Sequence, residues 1–86
     1  MSLPSGKAFI QIRFPNSYCG IFIDRFGKDI TFFPVDEGHS RLSVDVAVSN
    51  QFFGWIFALG PEVKVEGPEE VTEQIKKAAE AFIKNY

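Results

Sequence analysis

The segment W-I-F-A-L-G-P-E-V-K-V-E-G-P-E-E-V, Trp55 to Val71, leaves a folding chain few choices. It predicts a helix that stops at Gly60, a short strand through Val63 and Val65, and a second helix that starts at Pro68. Each boundary has a local cause. Gly60 tolerates the positive φ that ends a helix, and Pro61 cannot continue one. Pro68 suits the first helical position, where its lack of an N–H costs nothing. Behind it runs a long amphipathic tail.

The upstream half is punctuated in the same way. Ala8, Ile10, Ile12 and Phe14 alternate with Lys7, Phe9, Gln11 and Arg13, the period of a strand with one dry face. Pro15-Asn16-Ser17 breaks that strand and offers an N-cap oxygen. Tyr18, Ile21, Phe22 and Phe26 then recur at helical spacing, and Gly27 closes the helix. A second strand is expected over Asp29–Val35, with Pro34 marking it as a sheet edge. Asp36-Glu37-Gly38-His39-Ser40 reads as a hairpin connection to a third strand, Arg41–Val48. Ser49-Asn50 caps a helix carrying Phe52, Phe53, Trp55, Ile56, Phe57 and Leu59. A fourth strand is expected over Glu62–Glu66. The last helix, Glu69 to about Asn85, is expected to bury Val71, Ile75, Ala78, Ala79, Phe82 and Tyr86. Its pairs Glu73/Lys77 and Glu80/Lys84 lie four apart in the favourable direction.

The order β-α-β-β-α-β plus a further helix predicts an α+β fold. It is a ferredoxin-like split β-α-β-β-α-β sandwich, with a four-stranded antiparallel sheet and a C-terminal helix. That helix has three places for its apolar stripe: beside the first two helices, across the open sheet face, or on another subunit. Ile12, Val44, Val46, Phe57 and Val65 are expected to be almost fully buried. Residues 1–6 read as an expression scar plus linker, and 7–86 as one domain of a longer protein.

Composition bounds the function. The 86 residues hold 45% hydrophobic side chains and 10 Phe, enough for a core without staples. A formal charge of −2 argues against a basic nucleic-acid footprint over the whole domain. The single cysteine, Cys19, cannot form an internal disulfide, which fits a reducing cytoplasm. No apolar run reaches membrane-spanning length, so no membrane partner is expected.

Candidate chemistry is sparse. His39, the one histidine, reads as a solvated turn residue, and no converging ligand set supports a metal. Cys19 has no histidine in its segment and reads as an inert thiol. No phosphate loop, nucleophile elbow or dinucleotide fingerprint occurs, so neither enzyme activity nor a cofactor is expected. Acylphosphatases share the element order, yet the place of their basic phosphate loop holds Pro15-Asn16-Ser17-Tyr18-Cys19-Gly20. RNA-recognition motifs also share it and stack bases on sheet aromatics. The third strand, R-L-S-V-D-V-A-V, lacks their glycine-aromatic signature. Phe9, Gln11, Arg13, Phe33, Arg41, Ser43 and Asp45 are therefore the candidate interface or ligand face. Phe9 and Phe33 are expected to be covered by the terminal helix or a neighbouring subunit, with Arg13 and Asp45 fixing its register.

Leu-Gly, Val-x-Val, two residues and Pro-x-x-Val in succession resemble the C-terminal extension (WCX) of WYL-domain transcriptional regulators. The likeness extends upstream through F-I-Q-I-R-F, the helix end Arg25-Phe26-Gly27 and R-L-S-V-D-V. The resemblance implies a non-enzymatic regulatory and oligomerisation domain of a bacterial, cytoplasmic regulator. That regulator is expected to be a homodimer that binds DNA through an N-terminal winged helix-turn-helix and senses an unknown effector. The family's ligand contacts lie largely in its Sm-like WYL domain, so none is carried to these positions. The Phe-rich second helix departs from a simple reading and suggests surplus apolar surface. The alternative is a ferredoxin-like sensing domain whose open sheet face binds a small molecule or single-stranded nucleic acid.

Overall fold

The alternation that begins at Lys7 forms a nine-residue strand, β1 (Lys7–Pro15), in a computed structural model that describes residues 7–85. Its dry face is complete: Ile10, Ile12 and Phe14 have no exposed surface. A single 3₁₀ turn, Asn16–Tyr18, leads into α1 (Cys19–Phe26), which ends at Gly27 with φ of 92°. Then come β2 (Phe32–Pro34), β3 (His39–Ala47), α2 (Asn50–Leu59), β4 (Lys64–Gly67) and α3 (Glu69–Lys84). The strands form one sheet in the order β2-β3-β1-β4, and every pairing is antiparallel. The fold is α+β, an open four-stranded sheet with three helices. Residues 1–6, expected as scar and linker, and Tyr86, expected to be buried, lie outside the described residues.

All three helices supply the same core. Phe14 meets Phe22 of α1 with ring centroids 4.4 Å apart, and Phe32 of β2 edge-on at 5.7 Å. Trp55 of α2 stands edge-on to both Phe22 and Phe26, at 5.7 and 5.6 Å, under the Arg25 guanidinium 4.9 Å from its ring centroid. The Tyr18 hydroxyl donates to the Leu59 carbonyl at 3.2 Å, tying the start of α1 to the end of α2. The apolar breadth of α2 is thus largely used by α1 within the chain. Val71 of α3 is buried, with Ile75 and Ala78 packed behind it on the same cluster. The terminal helix therefore lies beside α2, the first of its three options.

Several boundaries moved. The second strand is three residues rather than seven, because Asp29-Ile30-Thr31 carry the chain from the end of α1 to the sheet edge. Pro34 does sit on an edge strand. The cap expected from Asn16 or Ser17 is not made. Asn16 turns to the hairpin instead, donating from Nδ2 to the Glu37 carbonyl (3.2 Å) and accepting from Ser40 Oγ (2.6 Å). Ser49 caps α2 as expected, accepting from the Phe52 amide at 3.2 Å. Pro68 is the N-cap residue of α3, one position earlier than expected, and its carbonyl accepts from the Val71 and Thr72 amides. Neither Glu73/Lys77 nor Glu80/Lys84 forms an ion pair among the described residues.

Of the five residues expected to be almost fully buried, two are. Ile12 and Val46 are buried, whereas Val44 and Val65 are half-buried against the cluster. Phe57 is 37% exposed, since α2 turns Phe52, Phe53 and Ile56 inward and leaves Phe57 toward α3. There it meets Phe82 edge-on at 6.1 Å. Phe82 is itself 50% exposed and Ile83 72%.

Burial sets the expected costs. Phe14→Ala should lose about 3–5 kcal/mol of stability in urea unfolding. Phe57→Ala should lose only about 1–2 kcal/mol, mostly its partial burial and the ring contact with Phe82. Gly60 has φ of 100° and ψ of 173°, a region open almost solely to glycine, so Gly60→Ala should cost about 1–3 kcal/mol.

Candidate interface on the open face of the sheet

Side chains alternate across a strand, so a face that is dry on one side must present its other set outward. Because every helix packs on the Ile10-Ile12-Phe14 side, no element among the described residues covers the opposite face. The register assembles on it all seven residues singled out from the sequence. Phe33 of β2 pairs with Arg41 of β3, Arg41 with Arg13 of β1, and Arg13 with Lys64 of β4. The next row holds Ser43 opposite Gln11, and the third holds Asp45 opposite Phe9. The face is thus three short rows on two long strands, extended at each side by an edge strand.

Phe9 is 57% exposed and Phe33 51% exposed. Of the two covers expected for them, the terminal helix is excluded, because α3 lies on the other side of the sheet. The two rings do not form one patch. They are four residues along the strand and two strand spacings apart, about 16 Å by sheet geometry, with charged groups between them.

Two arginines directly opposite each other repel unless each finds an anion. Here their ion pairs run in opposite directions. Arg41 Nε reaches over β1 to Glu66 Oε1 on β4, at 2.7 Å, while Arg13 Nη2 turns to Asp36 Oδ2 in the β2–β3 hairpin, at 3.4 Å. Both pairs are partly solvated, so each contributes little to stability but holds its guanidinium in place. Glu66 is available because of an irregularity in the β1–β4 ladder between Gln11 and Ile12. Gly67 faces Gln11 there, and a Cβ on Gly67 would sit 3.1 Å from the Gln11 amide oxygen. Asp45, expected to fix register together with Arg13, takes part in no ion pair among the described residues.

Asp36 is the hub of the hairpin. Its Oδ1 accepts from the Gly38 amide at 2.8 Å and lies 2.9 Å from His39 Nδ1. His39 is therefore not a free turn residue: it opens β3, half-buried, against a carboxylate. An aspartate two positions before a hairpin glycine is the signal that would have exposed this, since such a side chain closes its own turn. Lys64 and Glu66 were missed because cross-strand pairing, not sequence proximity, brings them to the face. Among the described residues, no group of three or more His, Cys, Asp or Glu is placed to hold a metal ion. No helix among them is long and apolar enough to cross a membrane. Cys19 is a free, half-buried thiol.

The hydrogen bond with His39, followed by that from the Gly38 amide, holds the Asp36 carboxyl below its ordinary value of 3.8. A carboxyl whose folded value is depressed stabilises the fold above its unfolded value and loses that contribution as pH falls through the folded one. Thermal melts of wild type and Asp36→Asn should therefore differ in favour of wild type at pH 6. The gap should close as the pH drops below about 3.8.

No curated protein and no solved structure matches the chain. A family model for the WCX domain matches residues 9–83, from the outward phenylalanine of β1 nearly to the end of α3. That family comprises regulatory domains of WYL-type regulators. With almost the whole described fold inside the match, the chain belongs to the WCX domain family.

Proposed function

We propose that this chain is the non-enzymatic regulatory and oligomerisation domain of a bacterial, cytoplasmic WYL-type transcriptional regulator. It pairs with a second copy through its open sheet face, with the exposed end of α3 adding to the contact. In the full-length protein an upstream helix-turn-helix binds DNA, and this domain helps to form the dimer and to shape the sensing of an effector. Its sheet order is read as the split β-α-β-β-α-β arrangement, which leaves one face free for this role.

The observation that carries the reading is the uncovered face itself. Two half-exposed phenylalanines frame rows in which Arg13, Arg41, Lys64 and Lys7 stand against Asp36, Glu66 and Asp45. A surface of that kind has almost no net charge. Such a face suits an isologous contact, in which each phenylalanine meets the same patch of the partner and the fixed charges set register. It suits a nucleic acid poorly. The phosphate backbone asks for unpaired cations, and two of these are engaged by carboxylates. Base stacking needs neighbouring aromatics, whereas Asp45 lies directly opposite Phe9.

Sedimentation of the chain at micromolar concentration should give a dimer, and Phe9→Glu should return it to a monomer. A wild-type monomer would refute the reading. A dimer untouched by Phe9→Glu but split by Ile83→Glu would move the contact from the sheet to α3. Tight, salt-sensitive binding of single-stranded nucleic acid by wild type, lost in Phe9→Glu, would favour the alternative of a sensing face.

A further inference from the structure

The open face holds one group whose charge is not fixed. Side chains on β3 alternate, so His39 stands on the same face as Arg41, Ser43 and Asp45, one row beyond the Arg13–Arg41 pair. Its partner in the ladder is Pro15, and 41% of its side chain is exposed. The charged groups around it are Asp36 and Glu37 in the hairpin, Arg13 on β1 and Arg41 on its own strand. Pro15 and Pro34, from the strands on either side, bring none.

The Asp36 carboxylate is shared between these groups. Its Oδ1 takes the Gly38 amide at 2.8 Å and His39 Nδ1 at 2.9 Å, while Oδ2 takes Arg13 Nη2 at a longer 3.4 Å. A proton on the imidazole turns the His39 contact into an ion pair, the stronger kind of hydrogen bond, and offsets the charge that now serves Arg13. Glu66 does not make up the loss, because it already holds Arg41 at 2.7 Å. Arg13 is left without a counter-charge directly opposite Arg41, the arrangement that like charges on neighbouring strands disfavour. In an isologous contact the same change falls on both copies at once.

We propose that His39 makes assembly through this face sensitive to pH. With the imidazole neutral, the face is close to balanced and two copies pair. With it protonated, each copy presents a surplus of positive charge to an identical surface, and the pair separates. This inference rests on the assembly reading and adds the condition under which that contact is released. Histidine is the side chain that ordinarily changes charge between about pH 5 and 8. Asp36, held below its ordinary value by the hydrogen bonds with His39 and the Gly38 amide, stays ionised across that range and is not itself the switch.

Sedimentation equilibrium of the 86-residue chain at about pH 7.5 and about pH 5.5, at one ionic strength, tests the proposal. The wild-type dimer should be at least about fivefold weaker at the lower pH, with its circular dichroism spectrum unchanged, and added salt should shrink the difference. His39→Asn still offers Asp36 an N–H but has no titratable ring, so its affinity should be the same at both values. His39→Lys, charged at both, should be as weak at the higher pH as wild type is at the lower. A wild-type dimer that is equally tight or tighter at the lower pH overturns the switch and leaves the assembly reading standing. So does a pH response that His39→Asn retains, a His39→Lys dimer as tight as wild type at the higher pH, or a loss of helical signal at the lower one. A wild-type monomer at both values overturns the assembly reading and the switch together.

Discussion

The rest of the molecule depends on the inner face of β1. Ile10, Ile12 and Phe14 are wholly enclosed, and β1 is the strand that pairs with both β3 and β4. Phe14 extends that burial upward by touching Phe22, and Phe22 in turn meets Trp55. One line of contacts therefore joins the sheet to α1 and α1 to α2. A fully buried aromatic is worth several kcal/mol through the area it removes from water, with a further contribution of about 1 kcal/mol per well-placed ring pair. In a chain of this length such a chain of rings stands in for the disulfides or metals that many small domains need.

Placing the whole core on one side has a consequence for the other. The outward set of β1 and β3 remains in water, and its composition is what a contact face requires: aromatic at the margins, polar and charge-balanced between. The two crossed ion pairs make that balance local. Arg41 spans a strand to reach Glu66, and the ladder irregularity beside Gly67 puts Glu66 within reach. An arginine fixed in this way presents a defined shape to a partner, and losing its carboxylate would leave two facing guanidiniums. The family to which the chain belongs is one of regulatory domains.

The C-terminal helix is divided along its length. Its first half closes the core through Val71 and Ile75, whereas toward its end Phe82 keeps a half-exposed ring contact with Phe57 and Ile83 stands in solvent. Between that helix, the end of α2 and β4, the Gly60-Pro61 corner keeps the backbones apart and an apolar groove opens. The same two residues that end a helix in the sequence thus also shape a concavity in the fold.

Local rules read from the chain carried far. Gly27 and Gly60 stop helices with positive φ, Ser49 caps α2, and Pro34 marks an edge. The period-two alternation of Lys7 to Phe14 assigned both faces of β1, and the same alternation in the second and third strands gave the other four residues of the candidate face. These are decided within a few residues, by backbone sterics and side-chain alternation, so the sequence alone determines them. What it left open needed distance in three dimensions. The side on which α3 packs, the exposure of Phe57, the partners of Asp36 and His39, the reach of Arg41 to Glu66 and the apolar groove all depend on elements far apart in the chain. Their energies come from packing and pairing between those elements, and no local pattern encodes which neighbour a side chain will meet.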